Sequence, residues 1–177
     1  MIAAESTAVV PEELRVVEEF CNSATRLHGT DALATVPGGH EWLARHGWDG
    51  ELTNEHLTSL RDAREAIRMF LIDRTDPAAR AAINRLAQDH WASPEIGDDG
   101  QLGLAPAVGR TVSPAGAAVG ALILHGLTGS GQRLRTCASE ACRWVFYDSS
   151  RSRTRMWCDM NTCGARSKMR HYRSRLT

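Results

Sequence analysis

The sequence predicts a mainly α-helical fold. A helical N-terminal domain with one small β-hairpin spans residues 1–130, and a C-terminal four-cysteine module of β-hairpin and helix spans 131–177. Three observations lead there. Apolar residues recur at helical spacing through most of the first 130 positions. Charge reverses near residue 130: the first part carries 10 Lys and Arg against 18 Asp and Glu, the rest 11 against 3, and the two cancel over the chain. Four of the five cysteines, Cys137, Cys142, Cys158 and Cys163, fall within 27 residues of the basic part, and only Cys21 lies outside it.

From Pro11 to Leu27 the residues Leu14, Val17, Phe20, Cys21, Ala24 and Leu27 keep one face of a single amphipathic helix apolar. Pro37, Gly38 and Gly39 predict a break before a short helix through Trp42 and Leu43 that stops near Gly47. Thr53 or Asn54 caps a helix through Leu57, Leu60, Ala63, Ile67, Phe70 and Leu71, whose opposite face is charged. Asp76-Pro77 pairs a cap with the preferred first residue of a helix that continues through Ile83, Leu86, Ala87 and His90. Residues 91–96 and 101–105 flank Gly97-Asp98-Asp99-Gly100 and predict a hairpin. Ser113-Pro114 repeats the cap signature and opens a very apolar helix with Val119, Leu122 and Ile123, a core element. Gly126, Gly129, Ser130 and Gly131 punctuate the boundary.

In the basic part, residues 143–147 and 153–157 are β-prone arms around Asp148-Ser149-Ser150 and predict a short hairpin. Asp159 caps a helix from Met160 to about Arg175 with Cys163 in its first turn. On that helix Ala165, Met169, Tyr172 and Leu176 form an apolar seam expected to be buried. Arg166, Arg170 and Arg173 lie on one side of it, Lys168, His171 and Arg175 on another.

With 42% hydrophobic and 24% charged residues in 177, the composition is that of a globular chain and excludes collagen-like, disordered and disulfide-dense classes. No stretch approaches the roughly 18 apolar residues a membrane helix needs. Glu5, Glu12 and Glu13 stand where a signal peptide carries Lys or Arg, so a cytoplasmic protein with no membrane partner is expected.

The cysteines spell Cys137-x4-Cys142-x15-Cys158-x4-Cys163, two close pairs joined by a segment long enough to fold back. Such pairs meet around one tetrahedral zinc ion, and a reducing cytosol disfavours the competing disulfides. Four thiolates close the coordination sphere, which marks one structural Zn2+ and argues against an enzyme. In a module this small the metal supplies much of the folding free energy.

These residues resemble the CGNR zinc finger family of stress-induced transcription regulators. The resemblance rests on Cys137-x4-Cys142-Arg143-Trp144, Phe146, Asp148, Ser150-Arg151, Trp157-Cys158, Met160, Cys163-Gly164-Ala165-Arg166, Lys168, Arg170 and Tyr172-Arg173, with Ala165 in place of the Asn of the family's name. Phe20-Cys21-Asn22, Gly29-Thr30-Asp31, Leu33, Trp42-Leu43 and Gly47 resemble the family's N-terminal helical ABATE domain. The resemblance implies a bacterial DNA-binding regulator, with the zinc module as reader and the helical domain as sensor of a signal, such as a small molecule, or as dimerisation unit.

Clustered arginine on a compact scaffold is independently an electrostatic footprint for phosphate, and a helix with basic faces suits the major groove of duplex DNA. Arg166, Lys168, Arg170 and Arg173 are the expected contacts on the helix, and Arg151, Arg153 and Arg155 the expected phosphate contacts on the hairpin. RNA binding, or a zinc-stapled protein-interaction module, would use the same features, and the arginines could instead form a solvated face or dock on the acidic first part of the chain. A homodimer would raise affinity by pairing half-sites. Trp144, Phe146, Tyr147 and Trp157 read first as core. His40 and His46 are six apart and do not form a metalloprotease pair, and Cys21 reads as a core thiol. Asn22, Thr25 and His28 come close together on the predicted helix and could line a ligand pocket, but read first as an exposed polar face.

Overall fold

The computed structural model describes residues 10–109 and 112–175. Glu5 and Leu176 lie outside the described residues. Helix α1 (Glu12–Cys21) buries Leu14, Val17, Phe20 and Cys21 against α5 (Pro114–Leu127) and α3 (Asn54–Ile72). It stops earlier than the Pro11–Leu27 periodicity predicts. Continuing it would require the amides of residues 24 and 25 to bond the carbonyls of Phe20 and Cys21. Those carbonyls are taken instead by the Ser23 hydroxyl (2.8 Å) and the Arg68 guanidinium (2.5 Å). The chain turns out into a two-residue pair, β1 (Ala24–Thr25) and β2 (Thr30–Asp31), closed at Gly29 with φ +66°. Thr25 and His28 are therefore not on a helix.

Helix α2 (Val36–Arg45) includes the Pro37-Gly38-Gly39 run that the sequence marks as a break. The Thr35 hydroxyl caps it by accepting from the Gly38 amide (3.3 Å), with Pro37 in the first turn, where its missing N–H costs nothing. Gly39 is a packing requirement, since a Cβ there would sit 2.6 Å from Leu52 and 2.7 Å from Leu57. Helix α3 starts behind a Thr53 capping box, α4 (Pro77–His90) behind Asp76, and α5 behind Ser113, as their cap residues predict. Strands β3 (Trp91–Ile96) and β4 (Leu102–Pro106) form the expected antiparallel hairpin. The charged side of α3 is not wholly solvated: Arg64 and Arg68 are 4% and 1% exposed.

After a 3-10 turn (Ser130–Arg133) the chain forms β5 (Leu134–Thr136), paired antiparallel with β6 (Val145–Tyr147) in the register Leu134↔Tyr147, Arg135↔Phe146, Thr136↔Val145. The predicted hairpin of 143–147 with 153–157 is thus corrected. The Cys137–Cys142 turn brings β5, not the later segment, alongside β6. The ladder continues through the Cys137 amide to the Trp144 carbonyl (2.8 Å). Strand alternation then divides the hairpin between two cores. Leu134, Val145 and Tyr147 face the helical core, whereas Phe146 joins Cys137, Cys142 and Cys163 in a small second core, with Trp157 and Cys158 packed on it.

A turn of π-helix (Met160–Gly164) leads into α6 (Ala165–Ser174). The buried seam expected on α6 is also corrected: Met169 is 53% and Tyr172 60% exposed. The second core closes at Cys163, before α6 begins, so the helix extends past the apolar material that would cover it. Among the described residues no helix is long and apolar enough to cross a membrane.

Candidate metal centre

Each cysteine pair is shaped by its own backbone. In the first, the amides of Cys142 and Arg143 both donate to the Ser139 carbonyl (2.9 Å each), and Arg143 takes a left-handed φ of 52°. In the second, the Asp159 carboxylate accepts from the Thr162 amide (2.6 Å), and the Asp159 carbonyl accepts from Cys163 (3.0 Å). These turns bring the four sulfurs within 4.8 Å of one another, with Cys142 to Cys158 at 3.7 Å and Cys158 to Cys163 at 3.8 Å. A tetrahedron with Zn–S bonds of about 2.3 Å has S···S edges of about 3.8 Å. A disulfide needs about 2.05 Å, and all four cysteines are free. The donor set therefore fits one zinc ion, and Cys137, Cys142, Cys158 and Cys163 can hold it.

The thiols are electrostatically uneven. Burial opposes ionisation of Cys137, but the amides of Cys158 and Ser139 outweigh it and hold this thiol below its ordinary range. Burial, reinforced by neighbouring thiols, pushes Cys158 upward and Cys163 up to about 11. Four sulfurs this close ionise together only around a cation. Cys21, by contrast, lies alone in the helical core, where burial pushes its thiol up to about 12, as befits a packing residue.

Segment 148–158 is held by a carboxylate. Asp148 is fully buried and accepts from the Ser150 amide (3.0 Å) and hydroxyl and from the Arg155 amide (2.9 Å), with Arg135 at 3.5 Å. Burial opposes its ionisation, yet these donors hold its carboxyl below the usual range. Arg155 stacks over Phe146 at 5.1 Å and donates to the carbonyls of Trp157 (2.8 Å) and Cys158, so this exposed arginine also braces the third cysteine of the cluster.

The open edge of β6 is covered by helix side chains instead of another strand. Arg68 donates to the Arg143 carbonyl (2.8 Å). The Asn22 carboxamide bonds both backbone groups of Val145 (2.8 and 2.9 Å), and the Glu18 carboxylate accepts from the Tyr147 amide (2.6 Å). Alternate edge groups of an antiparallel strand point outward, and these three residues meet each in turn. The sequence reading missed this clasp. A signal existed: Arg64 and Arg68 are four apart and each directly follows a residue of the apolar stripe, Ala63 or Ile67.

Beside it, Arg64 forms a two-pronged pair with Asp31 (2.7 Å twice), which outweighs burial and holds the Asp31 carboxyl below its usual value of 3.8. Replacing Asp31→Asn leaves a buried guanidinium short of a charge partner, and a loss of about 2 kcal/mol at neutral pH is expected. Because the folded value is the depressed one, this stabilisation is present above about pH 4 and is lost as pH falls through the folded value. Denaturant midpoints of wild type and variant should converge in acid; a constant gap would refute the pairing.

The residues expected to meet nucleic acid are exposed: Arg151 and Arg153 in the loop after Asp148, with Arg153 at φ +54°, and Arg166, Lys168, Arg170 and Arg173 on α6. Trp144, read from sequence as core, is 36% exposed at the rim of the metal knuckle, while Phe146 and Tyr147 are buried.

A helical domain clasping a closed four-thiolate centre, with a basic helix leading away from it, defines a zinc-finger protein. The CGNR zinc finger family matches residues 133–176, and the ABATE family, described as "Putative stress-induced transcription regulator", matches residues 14–141. The chain belongs to the ABATE family and carries a CGNR zinc finger. No curated protein matches it. The family models overlap over 133–141, where β5 and the first cysteine join the two parts. Ala165, the departure from the family's Asn, is exposed at the start of α6 and is not one of the four ligands.

Proposed function

We propose that this protein is a cytoplasmic, zinc-dependent transcriptional regulator that binds duplex DNA. In this reading residues 131–177 contact DNA and residues 1–130 sense a signal or pair two copies. It is not an enzyme. The observation that carries the reading is α6, a helix on which Arg166, Lys168, Arg170 and Arg173 are all exposed, anchored at its start by Cys163 of the four-cysteine cluster. A basic helix with a fixed N-terminus can enter the major groove in one orientation, and its arginines suit phosphates and guanine edges. Arg151 and Arg153 add phosphate contacts, and so does Arg155 with the part of its guanidinium left free.

Replacing Arg166→Ala with Arg170→Ala is expected to weaken duplex binding and lower the slope of log K against log salt by about 1.8, close to 0.9 per lost phosphate contact. Zinc content should stay at one ion per chain. Unchanged affinity would remove α6 from the interface. Preference for structured RNA in competition would favour an RNA-binding protein, and absence of salt-sensitive binding to either would favour a protein-interaction module.

A further inference from the structure

An open cleft of about 700 Å³ lies between the end of α1, the β1–β2 pair and α2, and it is walled on one side by Trp144 of the metal knuckle. Its charges are unevenly satisfied. The cationic Arg45 on its rim is paired with Glu41 (2.9 Å), and Asp31 is paired with Arg64. Glu18 and Glu19 have no cationic side chain of Lys or Arg within ion-pair distance among the described residues, and only His46 approaches Glu19, at 4.0 Å. Glu18 spends one carboxylate oxygen on the Tyr147 amide, and the other has no hydrogen-bond partner among the described residues. Burial, the largest influence on it, pushes the Glu18 carboxyl up against the opposing Tyr147 amide and the charge of Arg15, so a cation brought to this oxygen favours the carboxylate. Trp144 adds an accessible indole, suited to stacking on a flat group or facing a cation. The hydroxyls of Thr25 and Thr30, bonded to each other at 2.6 Å, complete a polar floor.

We propose that this cleft is an effector site for a small organic cation, a protonated or quaternary amine carried on a flat apolar body, and that its occupancy stabilises the metal knuckle. The second half follows from shared residues. Glu18 and Asn22 line the cleft with one side and hold Tyr147 and Val145 of β6 with the other. Trp144 lies between Arg143, whose carbonyl Arg68 holds, and Val145, and two residues after the ligand Cys142. A ligand seated on Trp144 and Glu18 thus restrains the strand that fixes the first sulfur pair. By linkage, whatever factor it adds to zinc retention, zinc adds to its binding. The proposal rests on the reading of the helical part as a sensor, but not on DNA being the target.

The test titrates phenethylamine and benzyltrimethylammonium into the zinc-loaded full chain, following tryptophan fluorescence and calorimetry, with phenethyl alcohol and phenylacetate as neutral and anionic counterparts. At least one cation should saturate below about 10 mM, with the alcohol about tenfold weaker and the carboxylate without effect. Glu18→Gln, which keeps an acceptor for the Tyr147 amide, should weaken cation binding about tenfold without changing the melting temperature. Trp144→Leu should abolish binding at unchanged zinc content. Transfer of zinc to a chromophoric chelator should slow several-fold at saturation. Binding of phenylacetate as tight as of the amines, wild-type binding by both variants, or no saturation by either cation overturns the site, and an unchanged transfer rate at saturation overturns the coupling. Duplex binding measured on the same samples separates the two readings. If it persists where the amines fail, only the effector site falls; if it is absent where the amines bind, only DNA binding falls.

Discussion

Removing the metal is expected to dissolve the segment from about residue 148 to the end of α6 while α1–α5 and the β5–β6 hairpin stay folded. The expectation follows from the way the hairpin faces two cores. Leu134, Val145 and Tyr147 are buried among helix residues and remain so without metal, and the edge of β6 stays clasped by Arg68, Asn22 and Glu18. The second core has little besides its sulfurs: Phe146 and Trp157 are its other members, and Met160, Met169 and Tyr172 contribute mostly exposed surface. Structural zinc in finger peptides supplies on the order of 10 kcal/mol of apparent binding free energy, more than so small a cluster recovers from packing. Amide hydrogen exchange with and without a chelator checks this. Protection should vanish across α6 and the Asp148 loop and persist in α1, α3, α5 and the hairpin; Cys158→Ser and Cys163→Ser should reproduce the pattern. Undiminished protection across α6 would deny the metal its structural role, and unfolding of the entire chain would deny the hairpin its anchorage in the helical core.

That boundary shows where the sequence is legible. Thr53, Asp76 and Ser113 begin helices because each carries a capping oxygen just ahead of a periodic run, and both cap and run are local. The cysteine quartet is legible for a similar reason, since two close pairs can satisfy one ion wherever the rest of the chain lies. Other features depend on partners distant in sequence. The apolar period of α1 continues through Ala24 and Leu27, but Arg68, 47 positions after Cys21, takes the Cys21 carbonyl that the next turn would need. The arms 143–147 and 153–157 have equal claim to pair by local propensity. What decides for β5 is the knuckle turn between Cys137 and Cys142 and the claim of Asp148 on the Arg155 amide. Residues of α6 repeat like a buried seam, yet the small core has closed before they arrive. Charged pairs four apart on a helix are usually solvated, so Arg64 and Arg68 look like surface until the carbonyls they reach are known.

Arg68→Met is expected to produce the largest loss of any single substitution outside the cysteines, about 4 kcal/mol, or roughly 10 °C in melting temperature for a chain of this size. At 1% exposure, its guanidinium bonds the Cys21 carbonyl (2.5 Å), the Arg143 carbonyl (2.8 Å) and Glu65 (3.1 Å). It thereby ties the end of α1, α3 and the metal knuckle to one planar group. Methionine fills the space but strands two carbonyls and removes a charge partner from Glu65, and unpaired buried acceptors cost about 1–3 kcal/mol each. Lysine restores the charge as a single ammonium that cannot span both carbonyls, so Arg68→Lys should recover less than half of the loss. Arg26, which meets the same Glu65 at 3.1 Å but is 46% exposed, gives the contrast: Arg26→Ala should cost under about 1 kcal/mol. The metal reports separately from global stability. With its carbonyl released, the left-handed Arg143 after Cys142 is no longer held, and zinc should transfer to a chelator faster in Arg68→Lys than in wild type under conditions where both are fully folded. Equal transfer rates would reduce Arg68 to a core residue; a stability loss in Arg68→Met no larger than in Arg26→Ala would remove it from the clasp altogether.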